Sequence, residues 1–134
     1  MTSLTYIAGI GEAYARKLKE TGIKSVEDLL EKAAVPQGRK EIAIQSEIDE
    51  AVLLHWVNHA DLFRIRGIGA EYAELLEAAS VDSVIELAQL KSEKLSQRLM
   101  EVNQAKRLVR KLPTEFQVDK WISQARSLSK IVSH

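Results

Sequence analysis

Apolar residues recur at helical spacing along most of the chain, and the alternation expected of strands is almost absent. On a wheel drawn over 46–64, Ile48, Val52, His55, His59 and Leu62 fall on one stripe. Leu53, Trp56, Val57, Ala60 and Phe63 fall on the adjoining one. An apolar arc of more than half the circumference predicts a helix buried between layers. A second amphipathic stretch, 102–112, sets Val102, Ala105, Leu108, Val109 and Leu112 on one side. Asn103, Lys106, Arg107, Arg110 and Lys111 lie opposite, a basic helical face whose charges repel one another unless an anion relieves them. Ser25-x-x-Asp28, Ser46-x-x-Asp49, Ser83-x-x-Glu86 and Thr114-x-x-Gln117 read as capping boxes, while Pro36, Gly38 and Pro113 punctuate the gaps. The pattern predicts an all-α fold with helices over 11–20, 25–33, 37–44, 46–64, 69–79, 83–89, 92–111 (broken within) and 114–130.

The pattern also repeats. Ile7-Ala8-Gly9-Ile10-Gly11 is followed by Tyr14-Ala15 and Leu18, and Ile65-Arg66-Gly67-Ile68-Gly69 by Tyr72-Ala73 and Leu76. Ser25-Val26-x-x-Leu29 and Ser83-Val84-x-x-Leu87 come next in each copy. Further on, Trp56-Val57-Asn58-His59-Ala60 is echoed by Trp121-Ile122-Ser123-Gln124-Ala125. The glycine segments stand 58 positions apart and the tryptophan segments 65, so the second copy carries about seven extra residues around Pro113. One unit of four or five helices, duplicated, is the expectation: 1–61 and 62–134, packed as one globule. The helix leading into 67 would be the long one, and the helix leading into Gly9 a stub.

Two glycines around one apolar residue permit a tight turn with positive φ and close backbone approach. Ile10 and Ile68 can tuck beneath such a turn. The next helix starts at once, and its free N–H groups and positive dipole end form an anion site that needs no side chain. An apolar residue, Gly-Ile-Gly, then Tyr-Ala and Leu at helical spacing resembles the helix-hairpin-helix motif of DNA glycosylases, ligases, repair polymerases and junction-binding proteins. The resemblance implies that the N–H groups of Gly9, Gly11, Gly67 and Gly69, and of the residue after each pair, contact backbone phosphate without base specificity. Arg16, Lys17 and Lys19 would add cations after the first turn, and Arg64 and Arg66 before the second. It also implies that turn carbonyls can hold a monovalent cation. The chain departs from the motif at Tyr14 and Tyr72, where DNA-binding hairpins usually carry Thr or Lys. Glu71, Glu74 and Glu77 after the second turn oppose phosphate. Over nearly its whole length, with Trp-Val-Asn-x-Ala-Asp-Leu at 56–62 and Leu-Val-Arg-x-Leu-Pro at 108–113, the chain also resembles a bacterial domain-of-unknown-function family. That resemblance implies a tandem helix-hairpin-helix fold of the SAM-like type and no particular activity.

Composition narrows the options. The 134 residues contain no cysteine, which removes disulfides, thiolate nucleophiles and cysteine metal sites. No apolar run approaches membrane-spanning length and the first residues lack a signal-peptide pattern, so a cytoplasmic protein without a membrane partner is expected. The 19 basic and 19 acidic residues cancel, but unevenly. Residues 91–134 hold ten basic and four acidic groups, a net of plus six, leaving minus six on 1–90. Such asymmetry suits an anionic partner. His55 and His59 at i and i+4 could chelate a metal, but no Glu follows His55 and no cysteine completes a site, so both are expected in the core or at an interface. Tyr14 and Tyr72 could stack on a base, although packing on the facing helix is the plainer role. No nucleophile-base array, phosphate loop or carboxylate pair is present. The expected function is a non-enzymatic module, without cofactor or metal, binding the DNA backbone or other nucleic acid without sequence preference. The alternative is a protein-docking or self-association module. In that case Trp121, sharing a stripe with Val118, Ile122, Ala125 and Leu128, would anchor an exposed patch.

Overall fold

In the computed structural model, which describes residues 1–134, a 3-10 turn at Leu4–Tyr6 precedes eight α-helices, and there is no strand. The helices are α1 Glu12–Glu20, α2 Val26–Lys32, α3 Pro36–Ser46, α4 Glu50–Leu62, α5 Ala70–Ala78, α6 Val84–Ala88, α7 Ser92–Lys106 and α8 Glu115–Ser127. Three starts follow from capping chemistry. The Ser25 and Ser83 hydroxyls accept from the amides of Asp28 and Glu86, at 3.1 and 3.2 Å. Thr114 and Gln117 exchange side-chain-to-backbone bonds in a full capping box. Pro36 opens α3 from its first turn, where its missing N–H costs nothing.

The helix expected over 46–64 is shorter, running from Glu50 to Leu62. Ser46 ends α3 instead of starting a helix, because its hydroxyl donates back to the Ile42 carbonyl at 2.6 Å and accepts from the Ile48 amide. Glu47 takes the left-handed conformation, with φ of 61°. The next helix is opened by Asp49, whose carboxylate accepts from the Ala51 amide at 2.8 Å. Of the two histidines on α4, His59 is buried in the core and His55 is exposed.

The chain divides into two units, Met1–Asp61 with Ile131–His134, and Leu62–Lys130. Leu18, Ile23, Leu29, Leu53, Trp56 and Val57 are buried in the first. The last four residues belong to this unit and not to the second. The Ser133 amide donates to the Ala34 carbonyl at 2.8 Å, Arg39 donates to the Ser133 carbonyl at 2.7 Å, and His134 pairs with Asn58 at 2.9 Å. In the second unit one core cluster joins Leu62, Ile65, Leu75, Leu76, Leu87, Leu99, Val118 and Trp121.

Candidate functional site

In the first unit, the 3-10 turn closes on Ile7, and the Ile10 amide then donates to the Ile7 carbonyl at 3.1 Å. Gly9 adopts φ of 93°, a conformation that an L side chain resists, and lets the chain reverse. Gly11 is the N-cap of α1, extended at φ −94° and ψ −170°. The second unit has the same local geometry. The Ile68 amide donates to Ile65 at 3.2 Å, Gly67 has φ of 98°, and Gly69 caps α5 at φ −98° and ψ −169°. Ile10 and Ile68 are both buried, so they anchor the turns from within and offer a ligand no side-chain surface. Ala15 and Ala73 are buried one turn further on.

The two glycine-capped helices differ from those that follow Ser-Val. No side chain caps the first-turn amides of α1 or α5, whereas Ser25 and Ser83 cap α2 and α6. An N-terminus of this kind keeps donors for an outside acceptor. A Cβ at Gly11 would meet nothing within 4 Å, so this approach is open.

Each turn rests on a tryptophan. A Cβ at Gly9 would stand 3.4 Å from Trp56 Nε1, and one at Gly67 only 2.9 Å from Trp121 Nε1. Tyr14 meets the Trp56 ring edge-on, with centroids 5.0 Å apart, and Tyr72 meets Trp121 at 5.3 Å. Both tyrosines therefore have packing partners, and Tyr72 also donates to the Lys111 carbonyl at 2.9 Å. Tyr14 stays 40% exposed, with Lys17 Nζ 5.9 Å from its ring centroid. Trp121 is not the centre of an exposed patch. It is 2% exposed, and Val118, Ile122 and Ala125 on its stripe are buried with it. The tryptophan support beneath each turn escaped the sequence reading, although the pairing of Trp56 with Trp121 was the signal for it.

The surroundings of the two turns differ in charge. α1 carries Arg16, Lys17 and Lys19, all exposed, against Glu12 and Glu20. A groove of about 290 Å³ beside it is lined by Ser3, Thr5, Glu12, Arg16 and Lys19 among others. α5 carries Glu71, Glu74 and Glu77 and no cation. Before the second turn, Arg64 donates to the Ser129 carbonyl at 2.8 Å. The backbone of Arg66 is closed off by Gln124, which accepts from its amide at 2.8 Å and donates to its carbonyl at 3.1 Å. The second turn therefore offers a phosphate less backbone and an adverse field.

The basic helical face expected over 102–112 is not formed. α7 ends at Lys106, and Arg107 is left-handed at φ 51° and ψ 49°. The Asn103 side chain accepts from the Val109 amide and donates to the Val109 carbonyl, both at 3.0 Å. That pair of bonds holds Val109 folded back on α7 and stops the helix from continuing. Lys106, Arg107, Arg110 and Lys111 are exposed, but they straddle a helix end and an irregular segment and share no helical face.

A protein-family model described as Domain of unknown function (DUF4332) matches residues 8–128. No curated protein and no solved structure gives a significant match to the chain.

Proposed function

We propose that this chain, which belongs to the DUF4332 family, is a cytoplasmic, non-enzymatic module of two helix-hairpin-helix units that binds the phosphate backbone of DNA without sequence preference. The observation that carries the reading is the start of α1. There an uncapped helix N-terminus, an open Gly11 and the exposed cations Arg16, Lys17 and Lys19 occur together. Amide donors and a positive helix end suit a phosphate oxygen, and mobile cations beyond them suit a repeating anionic backbone. Neither requires a base edge, so sequence preference is not expected. The first hairpin is the principal contact. The second, with three glutamates on α5 and Gln124 on its backbone, serves chiefly as scaffold.

The test is fluorescence anisotropy with single-stranded, duplex and branched DNA across a salt series. Gly11→Val is a sharp probe, because φ of −94° is open to valine and no neighbour obstructs its Cβ. The variant should keep its helical circular dichroism and bind about tenfold or more weakly, whereas Gly69→Val should change affinity by less. Log affinity should fall with log salt at roughly 0.9 per phosphate contact on duplex DNA. Salt-independent binding, or a larger effect at Gly69 than at Gly11, would overturn the assignment.

A second reading, protein docking on the same scaffold, is supported by Ile44 on α3, 80% exposed, and Phe116 on α8, 67% exposed. Aspartate at either position should then abolish association without affecting DNA binding.

A further inference from the structure

At both turns the atom that faces the missing glycine Cβ is the indole nitrogen. Nε1 is the one heavy atom within 4 Å at Gly9, and at Gly67 it is nearer than either neighbouring ring carbon. Each ring is 98% buried, both residues being 2% exposed. Yet neither indole N–H has an acceptor in the chain, and neither nitrogen is sealed from solvent. A tryptophan N–H normally finds a partner, and here water, or a ligand that displaces it, can supply the acceptor. In both units the polar edge of the ring is set against the positive-φ glycine two residues before the N-cap of an uncapped helix. The acceptor that is missing from the protein is the kind a ligand brings.

We infer that the Trp56 indole N–H is a ligand-binding donor of the first turn, directed at a phosphate oxygen that the first-turn amides of α1 also engage. The inference rests on the phosphate-backbone reading above and adds a side chain that reports on it. Glycine at position 9 is then required twice, for its positive φ and because a Cβ would cover Nε1. Trp121 has the same placement, but its turn lies beside Glu71, Glu74 and Glu77, so an anionic acceptor is disfavoured there. It serves as the internal control.

The experiment uses the full chain labelled with ¹⁵N. Its two indole N–H signals are assigned with Trp56→Phe and Trp121→Phe, and duplex DNA and inorganic phosphate are titrated in. The Trp56 signal should move downfield, saturating with the anisotropy curve, while the Trp121 signal stays within the drift of the backbone amides. Both variants lose a buried ring edge and should lose similar stability. Trp56→Phe alone should bind DNA about tenfold more weakly, the loss expected for one charge-assisted hydrogen bond. DNA binding that depends on Gly11, with an unmoved Trp56 signal or parental affinity in Trp56→Phe, would reduce the indole to packing and leave the functional reading intact. A chain that binds no DNA at low salt removes both. Should Trp56→Phe fail to fold, the titration of the parent signals decides.

Discussion

Gly38 lies in the first turn of α3, and a Cβ there would stand 2.0 Å from the carbonyl oxygen of Lys32 at the end of α2. Replacing a helical glycine by alanine ordinarily stabilises by about 1 kcal/mol. Here the obstructing atom is backbone, which cannot swing aside, and overpacking of this kind costs about 1–3 kcal/mol. The clash outweighs the propensity gain because the neighbouring Arg39 ties the same helix end down, donating to the Ala33 carbonyl at 2.8 Å. Gly38→Ala should therefore lower the urea midpoint, by about 1–2 kcal/mol of stability. A midpoint at or above the parent's would contradict the close approach. In the sequence Gly38 reads as punctuation after Pro36. Its real constraint is a helix end six residues back, and no local pattern encodes that distance.

The ends of the helices are set by side chains that bond to backbone, and those bonds decide which surfaces exist. Asn103 is the clearest case. Without its two bonds to Val109, residues 107–112 would lose the contact that folds them against α7. Asn103→Ala should cost about 1–3 kcal/mol, since a half-buried amide and carbonyl lose their partners. Amide exchange should accelerate at Val109 before it does in α8. Parental protection at Val109 would show that this bend is held by something else. The same bonds explain why Lys106 and Arg110 do not act as a pair, although four residues separate them. Periodicity is legible only where the helix continues, and whether it continues beyond 106 depends on one asparagine. Ser46 makes the same point. A serine can cap the helix that follows or bond back to the helix before it, and only its surroundings select between them.

At the scale of the whole molecule, the last four residues leave the second unit and complete the first. Val132 is 4% exposed, and Ser133 and His134 pair with Ala34, Arg39 and Asn58. Burial pushes the pKa of the Arg39 guanidinium down, partly offset by the field of Glu50, and the guanidinium donates to the carbonyls of Ala33 and Ser133. Val132→Asp replaces a buried apolar side chain by a carboxylate and should cost about 2–4 kcal/mol. Hydrogen exchange should then rise around Ala34 and Arg39, with α7 and α8 unaffected. Uniform loosening of both units would contradict the assignment of these residues to the first.

The sequence by itself determined the helical class, most helix positions and the two glycine turns, because all of these depend on interactions spanning a few residues. Gly-Ile-Gly followed by a helix leaves the backbone few alternatives, and Ser25, Ser83 and Thr114 each cap the helix that starts at the next residue. The unequal charge of α1 and α5 was legible for the same reason. Tertiary structure alone decided where tryptophan sits under each turn, 47 residues from Gly9 and 54 from Gly67 along the chain. It also decided that Gln124 closes the backbone of Arg66, that Trp121 is buried, and that residues 131–134 return to the first unit. These depend on which distant groups are brought within hydrogen-bonding or packing distance, and that is fixed by how buried surfaces fill space, not by the order of residues in any one segment.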